Sequence, residues 1–219
     1  MSYDETFHAL TSLEPGIRDA LLAGAGRRQY RRQETVVHAG DEGQTLFLVE
    51  SGHAAVRMVT EYGDNTTFAV LGPGDNFGEL ALVDDERRRS ASVIALESLS
   101  VRTLSRGHLE SVLGDAGLHG LLVQVLTGQV QRLSGQLVEA RFVPVRHRVA
   151  RALVALCDQY DDGSSPVSLL VTQDDIAGLA GATRPTVNQV LRTLEESGAI
   201  ALHRGRIDVV ERAMLARRC

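Results

Sequence analysis

The run Phe77-Gly78-Glu79-Leu80-Ala81-Leu82, followed by Arg89-Ser90-Ala91, holds residue types suited to gripping a phosphate. A glycine ahead of a short helix start points backbone N–H groups at an anion, and Leu80 and Ala81 stand at that start. Arg89 brings a full positive charge to the same phosphate, and Glu79 brings an acceptor for sugar hydroxyls. The plainer alternative is that Arg87-Arg88-Arg89 is a solvated charge run. A second stretch, TQDDIAGLAGATRPTVNQVLRTLEESGAI, fits a helix–turn–helix. In its second helix Val187, Val190, Leu191 and Leu194 fall on one face, which leaves Arg184, Pro185, Asn188, Gln189 and Arg192 on the other. Arginine and glutamine near a helix N-terminus match base edges in the major groove of DNA. Thr172, Thr183 and Thr186 belong to the same candidate set. His203, Arg204 and Arg206 on a hairpin behind it would reach phosphates as a wing. The alternative here is a helix pair that binds protein. No nucleophile–base constellation stands out, so no catalytic residue is expected. The seven histidines are scattered and none makes a metal pair at helical spacing, so no metal site is expected.

These residues need elements to position them. From Val36 to Thr103 short β-type runs (TLFLVE, AAVRMV, TTFAVL, SASVIAL, LSVRTL) are punctuated by Gly40, Gly52, Gly63, Gly72, Gly74 and Gly78, the pattern of an all-β barrel or roll. Residues 6–23 predict two short helices broken at Glu14-Pro15-Gly16. Arg27-Arg28-Gln29-Tyr30-Arg31-Arg32 predicts a solvated edge strand, since charge protects an edge. Residues 106–113 predict a short helix leading into a long one from about Gly117 to Phe142. In the long helix Val123, Leu126, Val130, Leu133, Leu137 and Ala140 recur by threes and fours as an a/d heptad seam, which predicts a homodimer. A helix of about 25 residues is roughly 37 Å long. The alternative is a helix packed only on its own chain. Gly128 and Gly135, on another face, mark either a close approach to the backbone or drift. Pro144 ends the long helix. Val145 to Tyr160 predicts a further helix, and residues 161–166 a loop. Two helices follow, capped by Thr172, with Asp175 in a capping box, and by Thr183, with Gly181 at the turn. A hairpin from Ile200 to Val210 turns near Arg204-Gly205.

The fold class predicted is α+β: an N-terminal β-roll over residues 1–115, a dimerisation and coupling helix over 116–143, and a C-terminal winged helix–turn–helix over 144–219. The 219 residues are 43% hydrophobic, enough to bury a real core. The formal net charge of −5 is unevenly placed. Residues 1–143 carry thirteen arginines against nineteen acids, while residues 144–219 carry ten against nine. A DNA-binding protein need not be basic overall if one face is. Every basic residue other than histidine is arginine. Two cysteines, Cys157 in an apolar run and Cys219 at the chain end, are too few for a disulfide framework or an iron–sulfur cluster. No segment has the composition of a signal peptide or the length of a membrane span, so a cytoplasmic location is expected.

Taken together, the glycine-punctuated roll, the FGELAL–Arg89-Ser90 cassette, the long helix and the winged helix–turn–helix resemble the cyclic-AMP receptor protein family of bacterial transcription factors over nearly the whole chain. The resemblance implies cyclic AMP as an effector ligand, no cofactor, a homodimer, a pseudo-palindromic operator in double-stranded DNA, and RNA polymerase as a partner. It aligns Gly78, Glu79, Arg89 and Ser90 with the family's cassette, within the run that includes Leu80 and Ala81. Glu79 then takes the ribose 2′-hydroxyl, and Arg89 with Ser90 the cyclic phosphate. Two departures follow. The family's Thr-Ser pair that touches adenine falls at Leu133-Ser134 or Ser134-Gly135, so only Ser134 offers a hydroxyl. On the reading helix the family's Arg-Glu…Arg becomes Arg184-Pro185…Gln189, which predicts a different half-site. A same-family regulator that answers to another small molecule or to none is the alternative, and a nucleotide-binding regulatory module of an enzyme or scaffold is a further one.

Overall fold

The computed structural model describes residues 7–59, 65–83, 86–161 and 163–218. Gly63, Asp162 and Cys219, placed by the sequence in a turn, a loop and at a chain end, lie outside them. The chain divides into two compact units, residues 1–56 with 71–132 and residues 57–70 with 133–219.

In the first unit a 3-10 turn (His8–Leu10) and α1 (Pro15–Ala23) precede the strands, with proline at the N-terminus of α1 where its missing N–H costs nothing. The strands are β1 (Gly26–Tyr30), β2 (Thr35–Val37), β3 (Thr45–Ser51), β4 (Ala54–Val59), β5 (Asn65–Leu71), β6 (Asn76–Phe77), β7 (Ser92–Ala95) and β8 (Leu99–Ser105), of which residues 57–59 of β4 and 65–70 of β5 belong to the second unit. They form two four-stranded sheets, ordered β1-β8-β3-β6 and β2-β7-β4-β5. Strand β1, arginine-rich and exposed, lies at an edge and pairs antiparallel with β8, as the charge pattern predicts. Strand β3 shows why the roll has two cores. Its side chains alternate across the sheet, and both faces are buried. Phe47 and Val49 join Phe77, Leu99, Val101, Ala54, Leu71, Val93 and Ala95 between the sheets. Leu46 and Leu48 face the other way, against Phe7, Leu10, Leu21, Leu109, Leu118, Leu121 and Leu122.

The short helix α2 (Leu80–Val83) follows β6. Helix α3 (Arg106–Phe142) is continuous in outline but broken at Gly114, whose φ of 66° and ψ of 170° are not helical. The two helices predicted from the sequence therefore meet at that glycine. Among the described residues no heavy atom lies within 4 Å of a Cβ built at Gly128 or Gly135, so none of them approaches either glycine closely.

The second unit holds α4 (Val145–Tyr160), β9 (Val167–Leu169), α5 (Gln173–Leu179), α6 (Arg184–Glu196), β10 (Ile200–His203), β11 (Arg206–Val209) and α7 (Arg212–Ala216). Val149, Leu153, Leu156 and Cys157 on α4 are buried, as are Ile176, Val187, Leu191, Leu194 and Ile207. Burial pushes the Cys157 thiol up to about 11, so it stays protonated at neutral pH, in keeping with a core residue. The hairpin turns at Gly205 with φ 73°, and β11 continues into a three-stranded sheet ordered β10-β11-β9. Strand β9 and helix α7 are not predicted by the sequence, being three and five residues long.

Asp175 is the polar centre of this unit. It is 1% exposed and closes a reciprocal capping box with Thr172 at the start of α5. Its carboxylate accepts from the Thr172 backbone N–H and hydroxyl at 2.8 and 2.7 Å. It also accepts from the Thr67 hydroxyl at 2.6 Å and from the Arg57 guanidinium at 3.2 Å. Burial alone would raise its pKa; the hydrogen bonds from Thr67 and Thr172 and the Arg57 charge outweigh it and hold the group below its usual 3.8. A depressed folded-state pKa contributes stability that is complete above the unfolded value and is lost as pH falls through the folded value. We therefore predict that Asp175→Asn costs about 2 kcal/mol at neutral pH. Urea unfolding of both proteins across pH 2–7 checks this: the gap between them should close below pH 3.8 and stay constant above it.

Candidate functional site

The cassette residues converge around Arg89. Its side chain is buried, 7% exposed. One guanidinium nitrogen donates to the Gly78 carbonyl at 2.9 Å and another to the Thr45 carbonyl at 3.0 Å. Its carbon sits 5.5 Å from the centre of the Phe47 ring, which stacks on Phe77 with centroids 4.7 Å apart. Two glycines make room for it. A Cβ at Gly43 would overlap the guanidinium, and one at Gly78 would lie 2.5 Å from the Arg89 nitrogen and 2.7 Å from the Thr45 carbonyl oxygen. Gly78 also has φ +92°, a conformation that costs other residues strain. Burial pulls the Arg89 guanidinium below its usual pKa, and the charges of Glu79 and Asp41 offset part of that. Arg89 is thus a buried charge of the roll and not part of a solvated run, whereas Arg87 and Arg88 are exposed.

Glu79, 5% exposed, is the matching anion. It accepts from the Gln129 amide of α3 at 2.6 Å and from Asn76 at 3.4 Å. The sequence does not single out Gln129. A signal for it exists: Leu118, Leu121 and Leu122 are buried against the roll, Val125 packs against the same core, and Gln129 follows one turn later. Leu80 is exposed and Ala81 buried within α2, and Ser90 is exposed just after Arg89. Ser134 is exposed and belongs to the second unit.

The seam residues are not buried on their own chain. Val123, Val130 and Leu137 are 64%, 62% and 57% exposed, Leu133 is 39% exposed, Leu126 is half-buried and Ala140 exposed.

On α6 the buried face is Val187, Leu191 and Leu194, with Val190 half-buried. Arg184, Pro185, Thr186, Gln189 and Arg192 are exposed. Arg184 lies 3.3 Å from Asp174. Two expectations need correcting. Thr183 occupies the N-cap position but makes no capping bond, because its hydroxyl pairs with that of Thr186 at 2.9 Å. Asn188 is half-buried rather than on the open face, and its side-chain oxygen is buried without a partner. In the hairpin, His203 and Arg206 each lie 3.0 Å from an oxygen of Asp208, so the Arg206 charge is partly neutralised, a consequence of β11 carrying an acid between its apolar positions.

Among the described residues no cluster of histidine, cysteine and carboxylate side chains could hold a metal, and no helix is long and apolar enough to cross a membrane.

Comparison with known proteins decides what this arrangement is. Residues 27–115 match the family model of the cyclic nucleotide-binding domain, and residues 147–218 that of the Crp-like helix-turn-helix domain. The cyclic AMP receptor protein of Thermus thermophilus is 35% identical over 95% of this chain and 94% of its own. The chain belongs to the CRP family of transcription regulators. A CRP-like cAMP-activated global transcriptional regulator of Mycobacterium tuberculosis is 30% identical over 94% of this chain and 93% of its own. Among solved structures, a CRP-family transcriptional regulator from Thermus thermophilus superposes with a TM-score of 0.70 at 26% identity, covering 87% of this chain and 95% of that one. The α+β class, with a β-rich nucleotide-binding domain, a long helix and a C-terminal helix–turn–helix, is that of the family. CRP-family proteins are DNA-binding regulators rather than enzymes, which removes the enzyme-module alternative and the protein-binding reading of the helix pair.

The crowding at Gly78 yields a prediction. Gly78→Ala puts a methyl group against the Thr45 carbonyl and Arg89 in a left-handed conformation, so it should cost about 1–3 kcal/mol. Ala substituted at Gly16, where no atom lies within 4 Å and φ is not positive, should cost far less. Thermal unfolding of the two variants separates the outcomes; equal melting temperatures would mean that Gly78 is not under constraint.

Proposed function

We propose that this CRP-family chain is a homodimeric regulator whose DNA binding is controlled by a cyclic nucleotide, cyclic AMP. The observation that carries the proposal is the buried pair of opposite charges, Arg89 and Glu79, beside Gly78, whose lack of a side chain makes room for the Arg89 guanidinium. A cyclic phosphate would take Arg89 with Ser90 and the backbone N–H groups at Leu80 and Ala81, and the ribose hydroxyl would take Glu79. Of the two hydroxyls that the resemblance assigns to the base, the sequence keeps Ser134 alone. The names of the Thermus and Mycobacterium relatives, a cyclic AMP receptor and a cAMP-activated regulator, support the choice of ligand.

Residues 1–115 act as the nucleotide domain, 116–143 as the dimer helix and 144–219 as the DNA-binding domain. Exposed a/d positions along three heptads support the dimer, since leucine and valine gain about 1.5–3 kcal/mol each when fully covered. In the DNA-binding domain Arg184 and Gln189 read base edges, guanine and adenine respectively, in a pseudo-palindromic operator. Thr172, Thr183, Pro185, Thr186 and Arg192 line the surface around them, with Asn188 half-buried at its edge, and His203 and Arg206 stand on the wing. Work on an operator places the protein in the cytoplasm, with RNA polymerase as a partner.

A second reading is the same dimer answering to another small molecule or to none. It is favoured by the self-occupied cassette, in which two carbonyls and Gln129 hold the charges, and by the single hydroxyl, Ser134, at the place of the family's Thr-Ser pair. Calorimetry with cyclic AMP and cyclic GMP distinguishes the readings. Cyclic AMP should bind, and Arg89→Leu should abolish binding while the protein stays folded and dimeric; no heat at several temperatures would favour the second reading. For the dimer, Leu133→Asp sets two like charges in an apolar seam and should leave a monomer in sedimentation. An unchanged dimer would mean that the subunits meet elsewhere.

A further inference from the structure

The ten arginines of residues 144–219 are not equally available. Arg151, Arg184, Arg206 and Arg212 each lie against a carboxylate: Glu139, Asp174, Asp208 and Asp158. Arg148 is spent on the carbonyls of Ala140, Val143, Ala180 and Gly181. Among the described residues, Arg146, Arg192, Arg204, Arg217 and Arg218 have no acidic partner, although the exposed Arg217 donates to the Ala213 carbonyl at 3.3 Å. Three of these five, Arg146, Arg217 and Arg218, line one concavity together with Gln189 and Thr193 of α6. They come from opposite ends of the domain, the start of α4 and the end of α7. His147 joins those ends: one ring nitrogen faces the Arg218 carbonyl oxygen at 2.7 Å, and the other accepts from Arg146 at 3.1 Å. The imidazole thus ties the Arg146 side chain to the backbone at Arg218 on one flank of the reading helix.

A helix lying in a major groove about 12 Å wide has a phosphate strand on either side. The wing supplies one side, but its Arg206 is paired with Asp208, which also lies 3.0 Å from His203. We infer that Arg146, Arg217 and Arg218 form a phosphate clamp that grips the DNA backbone on the flank of α6 where Gln189 and Thr193 lie. This inference rests on the DNA-reading role of α6 proposed above. The clamp positions Gln189 without reading sequence itself, because phosphate contacts set register and carry no base information.

The test uses the full-length protein and the duplex that it selects from a random pool. Operator affinity is measured by fluorescence anisotropy at several salt concentrations for the wild type and for Arg146→Gln, Arg217→Gln/Arg218→Gln and the triple variant. Arg28→Gln, which removes an exposed charge from the edge strand of the roll, controls for net charge. The triple variant should lose about tenfold or more in affinity, and the slope of log K against log salt should fall by about 0.9 for each phosphate that is no longer neutralised. Its selected sequence should stay the same, and its circular dichroism unchanged. Unchanged affinity and slope, or a loss no larger than that of Arg28→Gln, overturns the clamp while leaving the regulator reading intact, and would point to an acidic partner of another kind. A wild type that enriches no sequence overturns the reading and the clamp together.

Discussion

The structure of the first unit turns on one buried charge. A guanidinium taken out of water is costly unless its donors are met. Arg89 meets that cost with two backbone carbonyls, a ring beneath it and an acid of opposite charge nearby. Each of those partners fixes a piece of chain. The Thr45 carbonyl belongs to β3, the Gly78 carbonyl to the turn after β6, and Phe47 and Phe77 stack between them. Glycines at 43 and 78 are required because the guanidinium occupies the space a side chain would need. The roll is therefore built around a cation that is held in place and already satisfied.

That satisfaction has a consequence for the proposed mechanism. A cyclic phosphate would have to replace carbonyl contacts of Arg89, and a ribose hydroxyl would have to compete with Gln129 for Glu79. Gln129 sits one residue before the seam position Val130, on a helix that runs across the division between the two units. Displacing its amide frees a group on the element that also carries the seam. A ligand that changes what α3 touches could bias the proposed dimer only through a difference in affinity between its states.

Much of this is legible in the sequence. The strands of the roll announce themselves by apolar runs between glycines, and the edge strand by its arginines. The break in α3 is legible as two helices, though not as a single left-handed glycine at 114. The capping box at Thr172 and Asp175 follows from residue spacing alone. What escapes depends on distant partners. Strand β9 exists because it pairs with β11, some 40 residues on, with Leu169 opposite Ile207. Gln129 escapes because the apolar periodicity of its helix marks a different stripe. The pairing of His203 and Arg206 with Asp208 is a hairpin contact that no tally of basic residues shows. The burial of Asn188 reflects how α6 is rotated in its domain, which helical spacing fixes only to within part of a turn.

Occupancy of the Arg89–Glu79 cassette and DNA binding should be energetically linked. The direct measurement is the affinity of wild-type protein for its selected operator with and without saturating cyclic AMP, paired with the affinity for cyclic AMP with and without operator. Linkage requires both to change by the same factor, typically about 5–150-fold. The two factors should be equal, with tighter binding in each direction. Operator affinity that is identical in the presence and absence of cyclic AMP would contradict it.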